Sequence, residues 1–187
     1  MLVFVTGGVR SGKSSWAEKY VIEKSQYVKT IHYIATAKKT DEEMEKRIES
    51  HKLRREKSFA KWETWERSSN IEWLADHFSE TDIVLLDCLT NLINNELFIG
   101  VEEGDNRWKD PNHQQFVYEK IQHGIEQIEK KSSLFVIVSN EVVYDVIHDE
   151  VLLFYMKLLG KCHQWIVKKS DIAVRMEFGL PLFMKGT

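Results

Sequence analysis

The chain has 187 residues, of which 43 % are hydrophobic and 29 % charged, values typical of one globular domain, and we expect a single domain over residues 1–187. The net charge of −3 provides no general attraction for nucleic acid or anionic lipid. No apolar run is long enough to span a membrane and no secretory signal precedes the first strand-like run, so we expect a cytoplasmic protein. The two cysteines, Cys88 and Cys162, form no metal or redox motif and are expected to be buried thiols.

Strand-like and helix-like segments alternate along the chain. Short β-branched runs predict strands, longer amphipathic segments predict helices, and Thr40 with Glu43 fits a capping box at one helix start. This alternation favours a mostly parallel sheet covered by helices on both faces, although it does not specify the strand order. In chain order, the first half is predicted to contain a strand at Leu2–Val5, a helix at Ser14–Lys24, a strand at Val28–Ile34, helices at Thr40–Lys57 and Asn70–Phe78, and a strand at Asp82–Asp87. The second half is predicted to contain a helix at Leu89–Phe98, a polar loop at Gly100–Asn112, a helix at Gln114–Lys131, a strand at Leu134–Val138 and a helix at Val151–Lys169. The chain then closes with an antiparallel hairpin, in which Gly179, Leu180 and Pro181 join the strands Ile172–Phe178 and Leu182–Met184.

A glycine-rich segment between the first strand and the first helix fits the phosphate-binding pattern GxxxxGK[ST] in full. Its glycines let backbone amides turn toward a phosphate, and the following helix adds the partial positive charge of its N-terminus. The lysine of such a loop reaches the β- and γ-phosphates, and the last hydroxyl is a ligand of Mg²⁺. We therefore predict a nucleoside triphosphate site in an α/β fold of the P-loop NTPase (RecA-like) type. The segment consists of Gly7, Gly8, Val9, Arg10, Ser11, Gly12, Lys13 and Ser14.

Asp87 is the candidate for the carboxylate that P-loop enzymes place near the magnesium ion. It follows the apolar run Ile83–Leu86, which is the expected position at the end of a buried strand. The alternative is that Asp87 only caps the helix that begins near Leu89.

His51 lies in a basic segment of the second predicted helix. Arg47 precedes it by four residues and Arg54 follows it by three, so the three side chains share one helix face, with Arg55 beside them. Nearby cations disfavour the charged imidazolium and can hold phosphates, which suits histidine attack on an α-phosphate. The alternative is a histidine that is merely packed or solvated beside its apolar helix neighbours.

Together these segments resemble the adenosylcobinamide kinase / adenosylcobinamide-phosphate guanylyltransferase family along nearly the whole chain. The phosphate loop is close to the family's form, with Val9 where alanine is usual, and Asp41–Arg55 is the most specific match. Further matches are Tyr33–Ala37, the group of Trp62, Thr64 and Glu66, Asp87–Thr90, Ser139–Val142, and the closing segment from Gly179 to Gly186.

The resemblance implies a bifunctional enzyme of cobalamin biosynthesis. One reaction phosphorylates the aminopropanol hydroxyl of adenosylcobinamide with ATP or GTP. The other transfers GMP from GTP through a histidine to that phosphate, releasing pyrophosphate and giving adenosyl-GDP-cobinamide. The matching histidine is His51, so the catalytic candidates are His51 and Lys13. The resemblance also implies a homotrimer with nucleotide near the subunit interfaces. Besides the phosphate loop, the implied nucleotide contacts are Ala35, Thr36, Ala37, Lys52, Leu53, Arg54, Arg55, Glu66 and Asp87, with Ser14 and Asp87 as the magnesium ligands.

Three segments depart from the family pattern. Glu56–Lys61 is longer and lacks a proline, Val143–Asp145 replaces glycines, and Phe154–Leu158 replaces an arginine-rich segment. These departures leave the predicted nucleotide site largely intact. The alternatives that remain open are a P-loop kinase with a different acceptor, a member with only one of the two activities, and a non-catalytic nucleotide-binding regulator.

Overall fold

The computed structural model describes residues 1–25, 30–38, 42–142 and 149–186. Four features of the sequence analysis lie outside the described residues: the capping box at Thr40, the start of the strand at Val28, the side chain of Arg47, and the segment Val143–Asp145.

Seven strands form one sheet, and all neighbouring strands run parallel except the last pair. The strands are β1 (Leu2–Gly7), β2 (Ile31–Ala35), β3 (Trp62–Glu66), β4 (Ile83–Asp87), β5 (Leu134–Val138), β6 (Ile172–Glu177) and β7 (Leu180–Lys185). Their order across the sheet is β3-β2-β4-β5-β1-β6-β7. The predicted mostly parallel sheet with an antiparallel C-terminal hairpin is therefore confirmed.

Helices cover both faces of the sheet. They are α1 (Lys13–Lys24), α2 (Glu42–Glu56), α3 (Leu89–Leu97), α4 (Pro111–Lys130) and α5 (Glu150–Lys169). Helix α1 packs on one face against β1, β4 and β5, whereas α4 and α5 contact the sheet from the other face and pack with α3. Within the described residues, no helix is long and apolar enough to cross a membrane.

The core is divided into two layers by the alternation of side chains along each strand. Val3 and Val5 of β1 belong to the cluster that contains Ala17 of α1, whereas Phe4 belongs to the cluster that contains Ile166 of α5. Strands buried on both faces are expected to be almost continuously apolar, and β1, β4 and β5 have that pattern. Burial of these central strands fixes their register and the positions of the loops that follow them.

Strand β3 is absent from the sequence prediction. It reads Trp-Glu-Thr-Trp-Glu, and it pairs only with β2, at the edge of the sheet. Its side chains are half-buried or exposed, so the segment lacks the apolar run by which the other parallel strands were recognised.

Two predicted helices differ from the structure. The segment predicted as the helix Asn70–Phe78 forms a 3-10 helix at Ile71–His77. Helix α4 begins at Pro111 and not at Gln114, because Asp110 caps it by accepting a hydrogen bond from the backbone N–H of Asn112. Asp-Pro is a strong sequence signal for a helix start, because Asp is a good N-cap and Pro suits the first helical position. The earlier start shortens the predicted polar loop, which also contains 3-10 helices at Val101–Glu103 and Arg107–Lys109.

The turn of the C-terminal hairpin is shorter than predicted. Phe178 and Gly179 form it with φ angles of 50° and 84°, so Leu180 and Pro181 belong to strand β7. A proline is tolerated there because β7 is an edge strand. The backbone N–H of Gly179 donates a hydrogen bond to the carbonyl of Ser11 at 3.2 Å, so the hairpin turn supports the phosphate loop.

Candidate functional site

The carboxyl ends of the central parallel strands meet at one edge of the sheet. In the ladder, Ala35 of β2 lies opposite Asp87 of β4, and Asp87 lies opposite Val138 of β5. Val5 of β1 also lies opposite Val138, so the phosphate loop leaves β1 at this same edge. Ligands of open α/β sheets bind outside the carboxyl ends of the strands, which makes this edge the candidate site.

The phosphate loop bends tightly around its own lysine. A Cβ atom on Gly7 would lie 2.6 Å from the carbonyl oxygen of Met176, so the position has no room for a side chain. Gly12 has a φ angle of 90°, the left-handed conformation that glycine adopts without strain, directly before helix α1. Lys13 is buried, and its Nζ donates a hydrogen bond to the carbonyl of Gly8 at 2.9 Å.

A cavity of about 560 Å³ lies beside the start of α1. It is enclosed by α1, the ends of β2, β3 and β4, one side of α2, and the loop after β5. It contains nine of the predicted nucleotide, metal and catalytic residues: Lys13, Ser14, Ala35, Ala37, His51, Lys52, Arg55, Glu66 and Asp87. The structure thus brings together residues that are far apart in sequence.

Thr36 lies behind the cavity. Its side chain is fully buried, and its hydroxyl donates to the carbonyl of Cys88 at 2.7 Å and accepts from the Cys88 N–H at 2.8 Å. Its backbone N–H donates to the Asp87 carbonyl, and its own carbonyl accepts from the Asn95 amide. The polar groups of Thr36 therefore hold the end of β4.

Leu53 and Arg54 line a second, shallower groove on the outer side of α2 instead of the main cavity. Leu53 is largely exposed. The guanidinium of Arg54 turns toward α1, where it hydrogen bonds to the Ser15 hydroxyl and lies 3.5 Å from Oε2 of Glu18.

The setting of His51 is less basic than the sequence predicts. Its Nδ1 lies 3.0 Å from Nη2 of Arg54, 3.2 Å from Oε1 of Glu18 and 3.8 Å from Oδ2 of Asp87. Two carboxylates therefore accompany the expected arginines. The ring lines the cavity and contacts charged groups, which is unlike the surroundings of a histidine packed in an apolar core.

Asp87 faces the cavity and has no capping role at α3. The residue that caps α3 is Cys88, without a side-chain hydrogen bond. The Asp87 carboxylate instead accepts a hydrogen bond from the Tyr33 hydroxyl at 2.9 Å. Burial, reinforced by this neighbouring carboxylate, holds the pKa of Tyr33 well above its usual value, so the phenol stays protonated and keeps donating to Asp87.

Among the predicted arginines whose side chains the structure describes, Arg55 is the one whose buried guanidinium lines the cavity. It stacks over the ring of Tyr33 at 3.7 Å, and its Nη1 lies 3.8 Å from Oε1 of Glu18. Among the described residues, Nη1 has no hydrogen-bond partner. A buried guanidinium with an unused donor is well suited to bind a phosphate.

The remaining lining residues are absent from the predicted contact set: Tyr33, Ile48, Thr64, Cys88, Asn91 and Asn140. Both cysteines are buried, as predicted, and burial raises the pKa of Cys88 to about 11 and that of Cys162 to about 12.

Glu18 is also absent from the residues predicted for the site, because it lies outside the phosphate-loop pattern. Its signal in the sequence is an acidic residue between Ala17 and Val21 on the buried face of α1.

Comparison with known proteins identifies relatives along almost the whole chain. Residues 3–184 match the family described as cobinamide kinase / cobinamide phosphate guanyltransferase. The bifunctional adenosylcobalamin biosynthesis protein CobU of Escherichia coli is 31 % identical over 175 residues, which cover 91 % of this chain and 92 % of that protein. The corresponding protein CobP of Pseudomonas aeruginosa is 31 % identical over 186 residues, covering 97 % and 96 %.

Solved structures with the same fold are P-loop ATPases of low sequence identity. An ATPase from the type III secretion system of pathogenic bacteria has a TM-score of 0.54 at 12 % identity, and the match covers 97 % of this chain and 56 % of that one. The assembled ATPase EscN of enteropathogenic Escherichia coli has a TM-score of 0.56 at 12 % identity, with 95 % and 43 % covered. At such identities the likeness shows the fold alone, and it confirms the predicted P-loop type.

The family match confirms that the protein is an enzyme, and the chain belongs to the cobinamide kinase / cobinamide phosphate guanyltransferase family.

Proposed function

We propose that the protein catalyses two consecutive reactions of cobalamin biosynthesis. In the first it phosphorylates the hydroxyl of adenosylcobinamide with ATP or GTP. In the second it transfers GMP from GTP through His51 to that phosphate and forms adenosyl-GDP-cobinamide. The observation that carries the proposal is that His51 lines the same cavity as Lys13, Ser14 and Asp87. A kinase without a covalent intermediate needs no histidine there.

The phosphoryl transfer relies on the phosphate loop. Lys13 would exchange its contact with the Gly8 carbonyl for the β- and γ-phosphates, and the backbone amides around Gly12 would bind the remaining phosphate oxygens. Positioning and charge stabilisation supply most of the acceleration in such reactions.

Ser14 and Asp87 are the proposed magnesium ligands. Their hydroxyl and carboxylate oxygens line one cavity, and oxygen donors are the ligands that Mg²⁺ prefers. When bound, the ion would neutralise charge on the β- and γ-phosphates. Tyr33 contributes by holding the Asp87 carboxylate through its hydroxyl.

The guanylyl transfer relies on His51 and Arg55. The imidazole attacks the α-phosphate of GTP, and pyrophosphate leaves. Arg55 is the better placed of the two candidate arginines to stabilise the developing charge, because its guanidinium lines the cavity while Arg54 turns to Ser15 and Glu18. The nucleotide contacts proposed at Ala35, Ala37, Lys52 and Glu66 are supported by the same cavity wall.

A homotrimer remains part of the proposal. The observation that supports it is the exposure of apolar side chains on the edge strand β7, namely those of Leu180, Leu182, Phe183 and Met184. Exposed apolar side chains on an edge strand are typical of a surface that another chain covers. The corrinoid acceptor and the cytoplasmic location rest on the family resemblance and on the sequence.

The test is to replace His51 with alanine and measure both activities. We expect His51→Ala to abolish GMP transfer while phosphorylation of the acceptor continues, because only the second reaction needs a nucleophile on the enzyme. The matched control is His123→Ala, which removes an exposed histidine of α4 on the other face of the sheet. Equal loss of both activities in His51→Ala would contradict the proposed division of roles.

A further inference from the structure

The two ends of the cavity differ in chemical character. The end formed by α2 and β3 carries the ionisable side chains proposed to bind the nucleotide. In the sheet, β2 and β4 separate this end from the loop after β5. Near that loop and the start of α3 the cavity is lined by uncharged polar groups that the two proposed reactions leave without a role. These are the side chains of Cys88, Asn91 and Asn140.

Asn140 lies between the phosphate loop and Asp87. Strand β5 pairs with β1 on one side and with β4 on the other, and Asn140 follows shortly after its last residue. The backbone N–H of the next residue, Glu141, donates a hydrogen bond to the carbonyl of Gly7 at 2.9 Å. In the proposed binding mode Lys13 and the magnesium ligands surround the γ-phosphate, so Asn140 lies close to the phosphoryl group that is transferred.

The carboxamide of Asn140 is held through its nitrogen. Nδ2 donates a hydrogen bond to the hydroxyl of the buried Thr90 at 3.0 Å, and that hydroxyl also lies 2.8 Å from Sγ of Cys88. The Tyr155 hydroxyl in turn donates to the Thr90 carbonyl at 3.1 Å, which fixes the first turn of α3. Among the described residues, Oδ1 of Asn140 makes no hydrogen bond. The amide therefore has a fixed orientation and an unused acceptor oxygen.

We propose that Asn140 binds the acceptor of the kinase reaction, with Oδ1 accepting the hydrogen bond of the acceptor hydroxyl and directing its oxygen at the γ-phosphorus. The acceptor then occupies the α3 end of the cavity and the nucleoside occupies the α2 end. The inference rests on the proposed kinase reaction and adds the place of its second substrate. An amide oxygen suits a neutral hydroxyl beside a phosphate, because a cationic side chain there would pair with the phosphate and an anionic one would repel it.

Asn140 orients the hydroxyl but takes no proton from it. As the hydroxyl oxygen forms its bond to the γ-phosphorus, the bond from that phosphorus to the bridging oxygen breaks, and the nucleoside diphosphate leaves with the electron pair. The hydroxyl proton passes to an oxygen of the transferred phosphoryl group and from there to water. An amide oxygen is too weakly basic to hold that proton at neutral pH, so the contribution of Asn140 is to place the attacking oxygen in line with the leaving group.

The test measures Asn140→Ala with and without adenosylcobinamide. We expect kcat/KM for the acceptor to fall by about 10- to 10²-fold. The affinity for GTP, the slow hydrolysis of ATP without acceptor, and the labelling of His51 by GTP should be unchanged, because none of them involves the acceptor hydroxyl. The matched control is Asn94→Ala, which removes an exposed carboxamide of α3 and should leave every one of these quantities unchanged. If GTP affinity or acceptor-free hydrolysis falls together with phosphorylation, Asn140 acts on the nucleotide and the inference is overturned.

A second variant tests the orientation of the amide. Thr90→Val removes the hydroxyl that holds Nδ2 and leaves Asn140 in place, so kcat/KM for the acceptor should fall by less than in Asn140→Ala. In the double variant the Thr90 substitution should have no further effect, and additive losses would overturn the inference. A wild type that phosphorylates no adenosylcobinamide would refute the proposed function and the inference with it. An active wild type whose kcat/KM is matched by Asn140→Ala would refute the inference alone.

Discussion

The stability of the protein should fall in mildly acidic solution because of His163 on α5. Its Nε2 lies 2.7 Å from the hydroxyl of the fully buried Ser139, and its ring packs edge-on against Phe4. Burial lowers the pKa of His163 from 6.5 to about 4. The folded protein therefore keeps the ring neutral at a pH at which the unfolded chain already binds a proton.

The magnitude follows from that difference in proton binding. Above pH 6.5 neither state binds the proton, and as the pH falls from 6.5 toward 4 only the unfolded state gains it, so the folded state loses stability throughout this window. With one pKa unit equal to about 1.4 kcal/mol, His163 alone should lower the free energy of unfolding by about 2 kcal/mol between about pH 8 and about pH 5.

Urea unfolding followed by tryptophan fluorescence measures this loss, and the six tryptophans supply the signal. The variant His163→Gln cannot titrate at this position, so its free energy of unfolding should fall by about 2 kcal/mol less over the same pH range. The exposed-site variant His123→Gln is the matched control and should follow the wild type. If wild type and His163→Gln lose equal stability between these pH values, the argument from burial is refuted.

Two further predictions concern the phosphate loop and the packing of α4. Lys13→Ala should lower the rate of acceptor phosphorylation by about 10²-fold or more, because it removes the charge expected on the β- and γ-phosphates, and an unchanged rate in a steady-state kinase assay would contradict that role. Gly124→Ala should be destabilising by roughly 1–3 kcal/mol, since its Cβ would lie 2.9 Å from Cγ1 of Ile71. Gly160→Ala in α5 meets nothing within 4 Å and should instead stabilise by about 0.5–1 kcal/mol, so thermal melts that shift both variants the same way would refute the packing argument.

The sequence predicts the central sheet well because strands buried on both faces are almost continuously apolar. Leu134–Val138 is predicted to the residue, since five consecutive apolar residues, three of them β-branched, have the length and composition typical of such a strand. Strand β3 escapes prediction for the opposite reason. At the edge of the sheet its glutamates are exposed, and its two tryptophans lie three residues apart, which is not the alternation typical of a strand. The strand order depends on pairing between segments that are far apart in sequence, so no local sequence pattern predicts it.

The candidate site was predictable where a motif has a fixed backbone geometry and less so where side chains converge from distant elements. The phosphate loop and Asp87 belong to the first kind. Helical spacing placed His51 and Arg54 on one face, but it did not show that Arg54 turns to α1 or that Glu18 lies opposite. That contact joins positions 33 residues apart, and only the packing of α2 against α1 creates it.

The most direct test of the central claim is to incubate the pure protein with Mg²⁺ and α-labelled GTP, denature it, and treat it with acid or alkali. The account predicts a covalent label that is acid-labile and alkali-stable, that is lost in His51→Ala, and that is retained in His123→Ala. A protein that binds GTP but takes up no label, or a label that persists in His51→Ala, would contradict it.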